Sequence, residues 1–175
     1  LVELFTSQGC TSCPAADKLL GEFAKDPSIL TLSLAVDYWD YLGWKDTLAH
    51  STFSARQKGY AHLRGDGHVY TPQAVINGAG HVIGSDRAAI QTASATSALP
   101  VRVTVSESDG MLRVTVGAAT GSARTGAILV LPVARSREVA IARGENKDRK
   151  ITYANVVRGV TKIGDWTGEE ARFET

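Results

Sequence analysis

Leu1-Val2-Glu3-Leu4-Phe5-Thr6-Ser7-Gln8-Gly9-Cys10-Thr11-Ser12-Cys13-Pro14-Ala15-Ala16-Asp17-Lys18-Leu19-Leu20-Gly21-Glu22-Phe23 is the stretch on which the fold turns. Leu1 to Phe5 reads as a short buried strand, Thr6 to Gly9 as a turn, and Cys13 to Lys25 as a helix. Ala16, Leu19, Leu20, Phe23 and Ala24 recur at helical spacing on one face, and Pro14 is tolerated in the first turn, where backbone N–H groups lack intrahelical partners. Cys10 and Cys13 are the only two cysteines in 175 residues. Cys10 is thus expected at or just before a helix N-terminus, where free N–H groups and the helix dipole favour an anion such as a thiolate. Such settings bring a thiol from a pKa of about 8.5 down to roughly 3.5–7.5. The expected roles are attack by Cys10 and resolution of a mixed disulfide by Cys13.

Other readings of the pair stay open. A structural disulfide across a loop of about four residues stabilises by only about 2 kcal/mol in the chain-entropy model. Zinc needs four ligands, and His50, His62, His68 and His81 form no Cys/His spacing pattern, so no metal ligand set is expected. Two inert core thiols are the remaining alternative. A carrier of Cu(I) using Cys10, Cys13 and a histidine also fits the softness of thiolate ligands.

Thr71-Pro72-Gln73-Ala74-Val75-Ile76-Asn77-Gly78 reads as a proline opening a strand that ends in an Asn-Gly hairpin turn, with a second strand at Gly80 to Gly84. Ser85 to Ala95 follows as a helix capped by Ser85 or Asp86, with Ala89, Ile90 and Ala93 inward. With a strand over Ile29 to Val36, the order is strand, Cys-x-x-Cys helix, strand, intervening helix, Thr-Pro strand, hairpin strand, helix. In that order and spacing the first half, through about Thr96, resembles the thioredoxin-like fold with a compact, glutaredoxin-like core. The resemblance implies a cis proline at Thr71-Pro72 that aligns a partner's disulfide beside the cysteines. It also implies a buried acid near the motif, for which Glu3 is the nearest match. More closely, the chain resembles an uncharacterised bacterial family, domain of unknown function 1223, whose members are expected to be exported. The residues that carry this are Glu3 to Cys10 with Cys13-Pro14, Val36 to Asp46, Tyr70 to Gln73, Gly144 to Asn146, and Tyr153 to Arg158.

Tyr38, Trp39, Tyr41 and Trp44 follow the second strand, and strands that run parallel end at the same sheet edge. Trp39 and Trp44 are therefore candidates for the wall of a substrate groove, against the alternative that they simply cover the core. Ser51 to Leu63 reads as an inserted helix, with Ser51 as N-cap, Phe53, Tyr60, Ala61 and Leu63 inward, and Arg56, Lys58, His62 and Arg64 making it modestly basic. The insertion spans about 38–65.

From Ala93 to Pro100 the chain becomes rich in Ala, Ser and Thr, as a helix end and linker would, and strict alternation follows. Val101, Val103 and Val105, then Asp109-Gly110, then Leu112, Val114 and Val116 form a hairpin pattern. Further strands are expected at Ala127 to Val133, Glu138 to Ala142, Lys150 to Arg158 and Val160 to Ile163. The expected division is an α/β domain over 1–97 and a β-rich sandwich or meander over 98–175. Gly144 to Lys150 reads as a solvated charged hairpin.

Net charge is +1, from 19 basic and 18 acidic residues, with no basic tract, so nucleic-acid and membrane-surface binding are unsupported. No apolar run approaches the roughly 18 residues of a membrane span. No dinucleotide fingerprint, phosphate loop or Gly-x-Ser-x-Gly turn occurs, and no cofactor is expected. The chain opens on strand residues at Leu1, as a processed, exported protein would. The reading these residues favour is a periplasmic or secreted thiol-disulfide oxidoreductase acting on protein or small-molecule thiols and disulfides. The alternatives are a non-enzymatic partner-binding module with a structural disulfide, or a copper-handling protein.

Overall fold

The computed structural model describes residues 1–96, 99–120 and 125–175. β1 (Val2–Thr6), α1 (Cys13–Phe23) and β2 (Thr31–Ala35) open the chain, with β1 and β2 parallel and in register from Val2 opposite Thr31 to Thr6 opposite Ala35. A 3₁₀ turn at Asp40–Leu42 lies in the aromatic segment and α2 (Ser51–Arg64) follows it. β3 (Gln73–Ile76) returns antiparallel along the other side of β1, and β4 (Gly80–Ile83) pairs with β3 through a turn in which Asn77 and Gly78 have φ of 49° and 72°. α3 covers Arg87–Thr96, with the Asp86 carboxylate accepting from the Ala89 N–H at 2.9 Å as its cap. The linker expected over 93–100 thus begins as helix, and its residues 97 and 98 lie outside those described. Every residue of β1 is buried, as a strand covered on both faces requires. Val2 and Leu4 pack with Ala16, Leu19, Leu20 and Phe23 of α1 and Ile90 of α3, while Phe5, on the opposite face, meets the Tyr60 ring of α2 edge-on.

The second half departs from the expected division. β5 (Val103–Ser108), β6 (Met111–Val116), β7 (Gly126–Val130), β8 (Val133–Ala140), β9 (Lys150–Val157), β10 (Thr161–Trp166) and β11 (Ala171–Glu174) supply the strands. The hairpin β8–β9 does not belong to a separate β domain. It extends the first sheet, whose order is β4-β3-β1-β2-β9-β8, with β9 meeting β2 at a single bridge between Ser33 and Val156. One compact unit is therefore Leu1–Ser97 with Val133–Arg158, and the other is Ala98–Pro132 with Gly159–Thr175. The protein has a mixed α/β architecture, a six-stranded mixed sheet with two smaller sheets.

In the second unit, β5 and β6 join through Asp109 and Gly110, both at positive φ, and β11 adds to β6. Val114, Val116 and Trp166 form its core with Ile128, Ile163 and Phe173 against them. Among the described residues no helix is long and apolar enough to cross a membrane.

Candidate functional site

Strand direction decides which loops meet. Because β1 and β2 are parallel and β3 runs against β1 with Phe5 opposite Gln73, the end of β1, the end of β2 and the start of β3 share one sheet edge. The Cys10 turn, the aromatic segment and Thr71-Pro72 therefore converge there, where open α/β sheets place their sites. Cys10 and Cys13 are joined as a disulfide, 2% and 0% exposed, with the exposed Thr11 and Ser12 between them. The Cys13 N–H donates to the Cys10 carbonyl at 3.2 Å, and Ser12 occupies the N-cap position of α1 without a side-chain capping bond. Its hydroxyl lies 3.4 Å from Cys10 Sγ. The Thr71–Pro72 peptide is cis.

The two tryptophans brace this edge. Trp39 Nε1 donates to Thr71 Oγ1 at 2.8 Å, and a Cβ placed on Gly9 would stand 2.9 Å from Trp39 Cβ, so only glycine lets the cysteine turn approach this ring. Trp44 Nε1 donates to Gln8 Oε1 at 2.7 Å, while the Gln8 N–H donates to Asp46 Oδ2 at 2.7 Å. Both rings are half-buried and tied to the cysteine turn or to Thr71. The exposed aromatic is Tyr41, stacked on Trp39 and 77% accessible.

A residue that sequence reasoning missed closes the site. Gly144 to Lys150 reads as a solvated hairpin, yet Asn146 is 1% exposed, and its Nδ2 donates to the Gln8 and Cys10 carbonyls, each at 2.9 Å. Thr11 Oγ1 donates to the Glu145 carboxylate beside it. Replacing Asn146 with alanine strands the buried Gln8 carbonyl, at about 1–3 kcal/mol for an unsatisfied group, and leaves the Cys10 carbonyl with the Cys13 N–H alone. A loss of about 1–3 kcal/mol is expected, read from urea unfolding of the oxidised protein.

Beneath the turn lies a set of buried acids. Asp17 falls four residues after Cys13 on the inward face of α1, a spacing that puts Cβ atoms about 5–6 Å apart. It is 3% exposed, Oδ1 accepts from Thr6 Oγ1 at 2.7 Å, and Oδ2 has no partner. Burial pushes its carboxyl up to about 8, the Thr6 bond opposing and the Asp46 charge adding to the rise. Desolvation also raises Asp46. The Tyr153 hydroxyl of β9 is buried without a partner and held above the usual phenol range by burial and by the charges of Asp17 and Asp46. The sequence signal was an acid on the apolar face of α1.

Glu3, expected as the buried acid near the motif, serves elsewhere. It is 0% exposed but points to the α2 face, where Arg56 Nε donates to its Oε1 at 2.7 Å and the Tyr60 hydroxyl donates to Oε2. Its alternation along β1 places it opposite in face to Thr6 and Asp17.

Among the described residues, Cys10 and Cys13 join no histidine in a set of three metal-capable groups; one such set exists, Asp66, His68 and His81.

The model of the family described as "Protein of unknown function (DUF1223)" matches residues 1–175. No curated protein matches the chain. A crystal structure of a protein from Agrobacterium tumefaciens is similar to it at 35% identity and a TM-score of 0.85, covering 99% of this chain and 76% of that one. A family model that spans the whole chain places this protein in the DUF1223 family.

Proposed function

We propose that the protein is a thioredoxin-like thiol-disulfide oxidoreductase. The observation that carries this reading is the Cys10–Cys13 disulfide at the N-terminus of α1, beside Thr71-Pro72 at the start of β3. The order β3-β1-β2, with α1 between the parallel strands and the β3–β4 hairpin leading to α3, supports the fold assignment.

In the reducing direction the Cys10 thiolate attacks one sulfur of a partner's disulfide, forming a mixed disulfide and releasing the partner's other sulfur as thiolate. Cys13 loses its proton to Asp17 and attacks Cys10 Sγ. The intramolecular disulfide forms, the partner's second thiolate leaves, and two electrons have passed to the partner. In the opposite direction, protonated Asp17 supplies the proton to Cys13 as it leaves. A carboxyl pushed up to about 8 is poised for both exchanges near neutral pH. Thr71 is the backbone along which the partner's chain aligns, and Trp39 and Trp44 hold the walls of that groove. A groove of about 440 Å³ beside the start of α1 is lined by Pro14, Lys18, Arg149, Lys150, Ile151 and Thr152, and its cations favour acidic residues near the partner's disulfide. The reading includes an exported, oxidising compartment, where such a pair persists as a disulfide.

The near-complete burial of Cys10 favours a second reading, a binding module whose disulfide is structural. Titration of the pair against glutathione, followed by mass, separates the two. A potential between roughly −270 and −120 mV, with mixed disulfides trapped in Cys13→Ser, supports the oxidoreductase. A pair that stays oxidised below about −300 mV overturns it in favour of the structural disulfide.

A further inference from the structure

The turn from α2 to β3 and the neighbouring strand β4 assemble donors that the redox reading does not use. We propose that Asp66, His68 and His81 bind one borderline divalent transition ion, of which Zn²⁺ is the representative. The ligand atoms of all three lie within 4.8 Å of one another, and His81 Nε2 stands 3.2 Å from Asp66 Oδ2. Metal–nitrogen and metal–oxygen bonds of about 2.0–2.2 Å in a tetrahedral site put ligand atoms roughly 3.3 Å apart. The Asp66–His81 pair is at that spacing, and His68, whose ligand atom lies within 4.8 Å of both, completes the set by a side-chain adjustment of up to about 1.5 Å. Two imidazoles and one carboxylate suit a borderline ion better than a hard one, since Mg²⁺ and Ca²⁺ take oxygen ligands.

The chain is shaped to bring these groups together. Gly65 and Gly67, at φ of 74° and 67°, turn the backbone twice around Asp66, which sets Asp66 and His68 beside one another. The His68 carbonyl accepts from Arg64 Nη2 and from Gln73 Nε2, which anchors the turn to β3. His81 comes from β4, with its ring edge-on to His68. The outer shell is also present. Tyr70 Oη lies 2.8 Å from His81 Nδ1, which fixes the ring and leaves Nε2 facing Asp66. Arg64 Nε and Nη2 donate to the two Asp66 oxygens and orient the carboxylate. The guanidinium charge opposes a cation, so binding is expected in the micromolar rather than the nanomolar range. Three protein ligands leave a fourth position for water or an exchanging ligand, the arrangement of a site that hands its ion on or presents it to a substrate.

The test is equilibrium dialysis of the full chain with Zn²⁺, with Cys10 and Cys13 kept oxidised so that no thiolate competes. One equivalent is expected. His68→Gln and His81→Gln each weaken binding at least about tenfold, Tyr70→Phe weakens it about tenfold, and His62→Gln, on the exposed face of α2, leaves it unchanged. Absence of saturable binding up to about 1 mM Zn²⁺, or affinity unaltered in His68→Gln and His81→Gln, overturns the proposal. X-ray absorption at the zinc edge of the wild-type protein decides independently of any variant: two imidazole ligands support the site, and fewer than two overturn it.

Discussion

Asp17→Asn is expected to remove a steep pH dependence from both stability and catalysis. In the folded, oxidised protein the Asp17 carboxyl is pushed from 3.8 up to about 8, chiefly by burial. Between those values the native state holds a proton that the unfolded chain has released, so unfolding gives up a proton and stability falls as pH rises. The contribution is fully present below pH 3.8 and is lost through about pH 8, at about 1.4 kcal/mol per unit. The amide of the variant carries no such proton. Its carbonyl keeps the bond from Thr6, and its NH₂ takes the place of the unpartnered Oδ2. Urea unfolding of the two oxidised proteins between pH 4 and 9 should therefore show a wild-type slope that the variant lacks, with the variant the more stable above about pH 8. For the proposed oxidoreductase the rate moves the other way. A positioned proton acceptor contributes about 10²–10⁴-fold, so release of a partner from its Cys10 mixed disulfide should slow at least about 100-fold in Asp17→Asn. The wild-type rate should rise with pH through about 8 as the carboxylate forms, and the variant's should follow only the Cys13 thiol. A purely structural Asp17 would change stability without altering that pH profile.

The parts of this site that were legible in the sequence are those whose signal is local. Strand, turn and helix over Leu1 to Phe23 follow from apolar period alone, and the Asn77-Gly78 turn from a dipeptide that tolerates the two positive φ values it adopts. Pairing partners are not local. The strands β8 and β9 carry the same alternation whichever sheet they join, so the sequence placed them with the C-terminal strands, and their place beside β2 is decided by packing of Ile151, Tyr153 and Val156. Asn146 was invisible for a related reason. A polar loop residue reads as solvated, and the groups that bury it are backbone carbonyls 136 and 138 positions away, which no side-chain pattern announces. α2 shows the limit of helical periodicity. Phe53 and Ala61 are buried as expected, but Leu63 is 83% exposed, and the helix is capped by His50, whose Nδ1 accepts from the Thr52 N–H, rather than by Ser51. Trp39 and Trp44 follow β2 at the sheet edge that holds the cysteine turn, and their N–H groups bond to Thr71 and Gln8 rather than facing open solvent.

Arg56→Leu should be the most destabilising single change on the α2 face of the sheet, and more costly than Glu3→Leu. Glu3 has a side chain 0% exposed in the middle of β1, whereas the Arg56 side chain is 29% exposed and spans the distance from α2 to that carboxylate. Removing Arg56 leaves a carboxylate sealed from water with only the Tyr60 hydroxyl to donate to it. Breaking a buried pair in this way costs about 3–5 kcal/mol, a large share of the roughly 5–15 kcal/mol that typically holds a domain together. Removing Glu3 instead leaves a partly exposed guanidinium that keeps its bond to the Tyr60 hydroxyl, for about 1–3 kcal/mol. The double variant Glu3→Leu/Arg56→Leu exchanges both charges for apolar groups, and replacing a buried ion pair in this way is often neutral or stabilising. It should therefore recover most of what Arg56→Leu loses. Urea unfolding of the four proteins closes the cycle. If the losses simply add, the pair is not the structural element that holds α2 against β1. If they cancel in the double variant, Glu3 is a packing ion pair, and the proton transfer proposed for the cysteine edge is left to Asp17 on the other face.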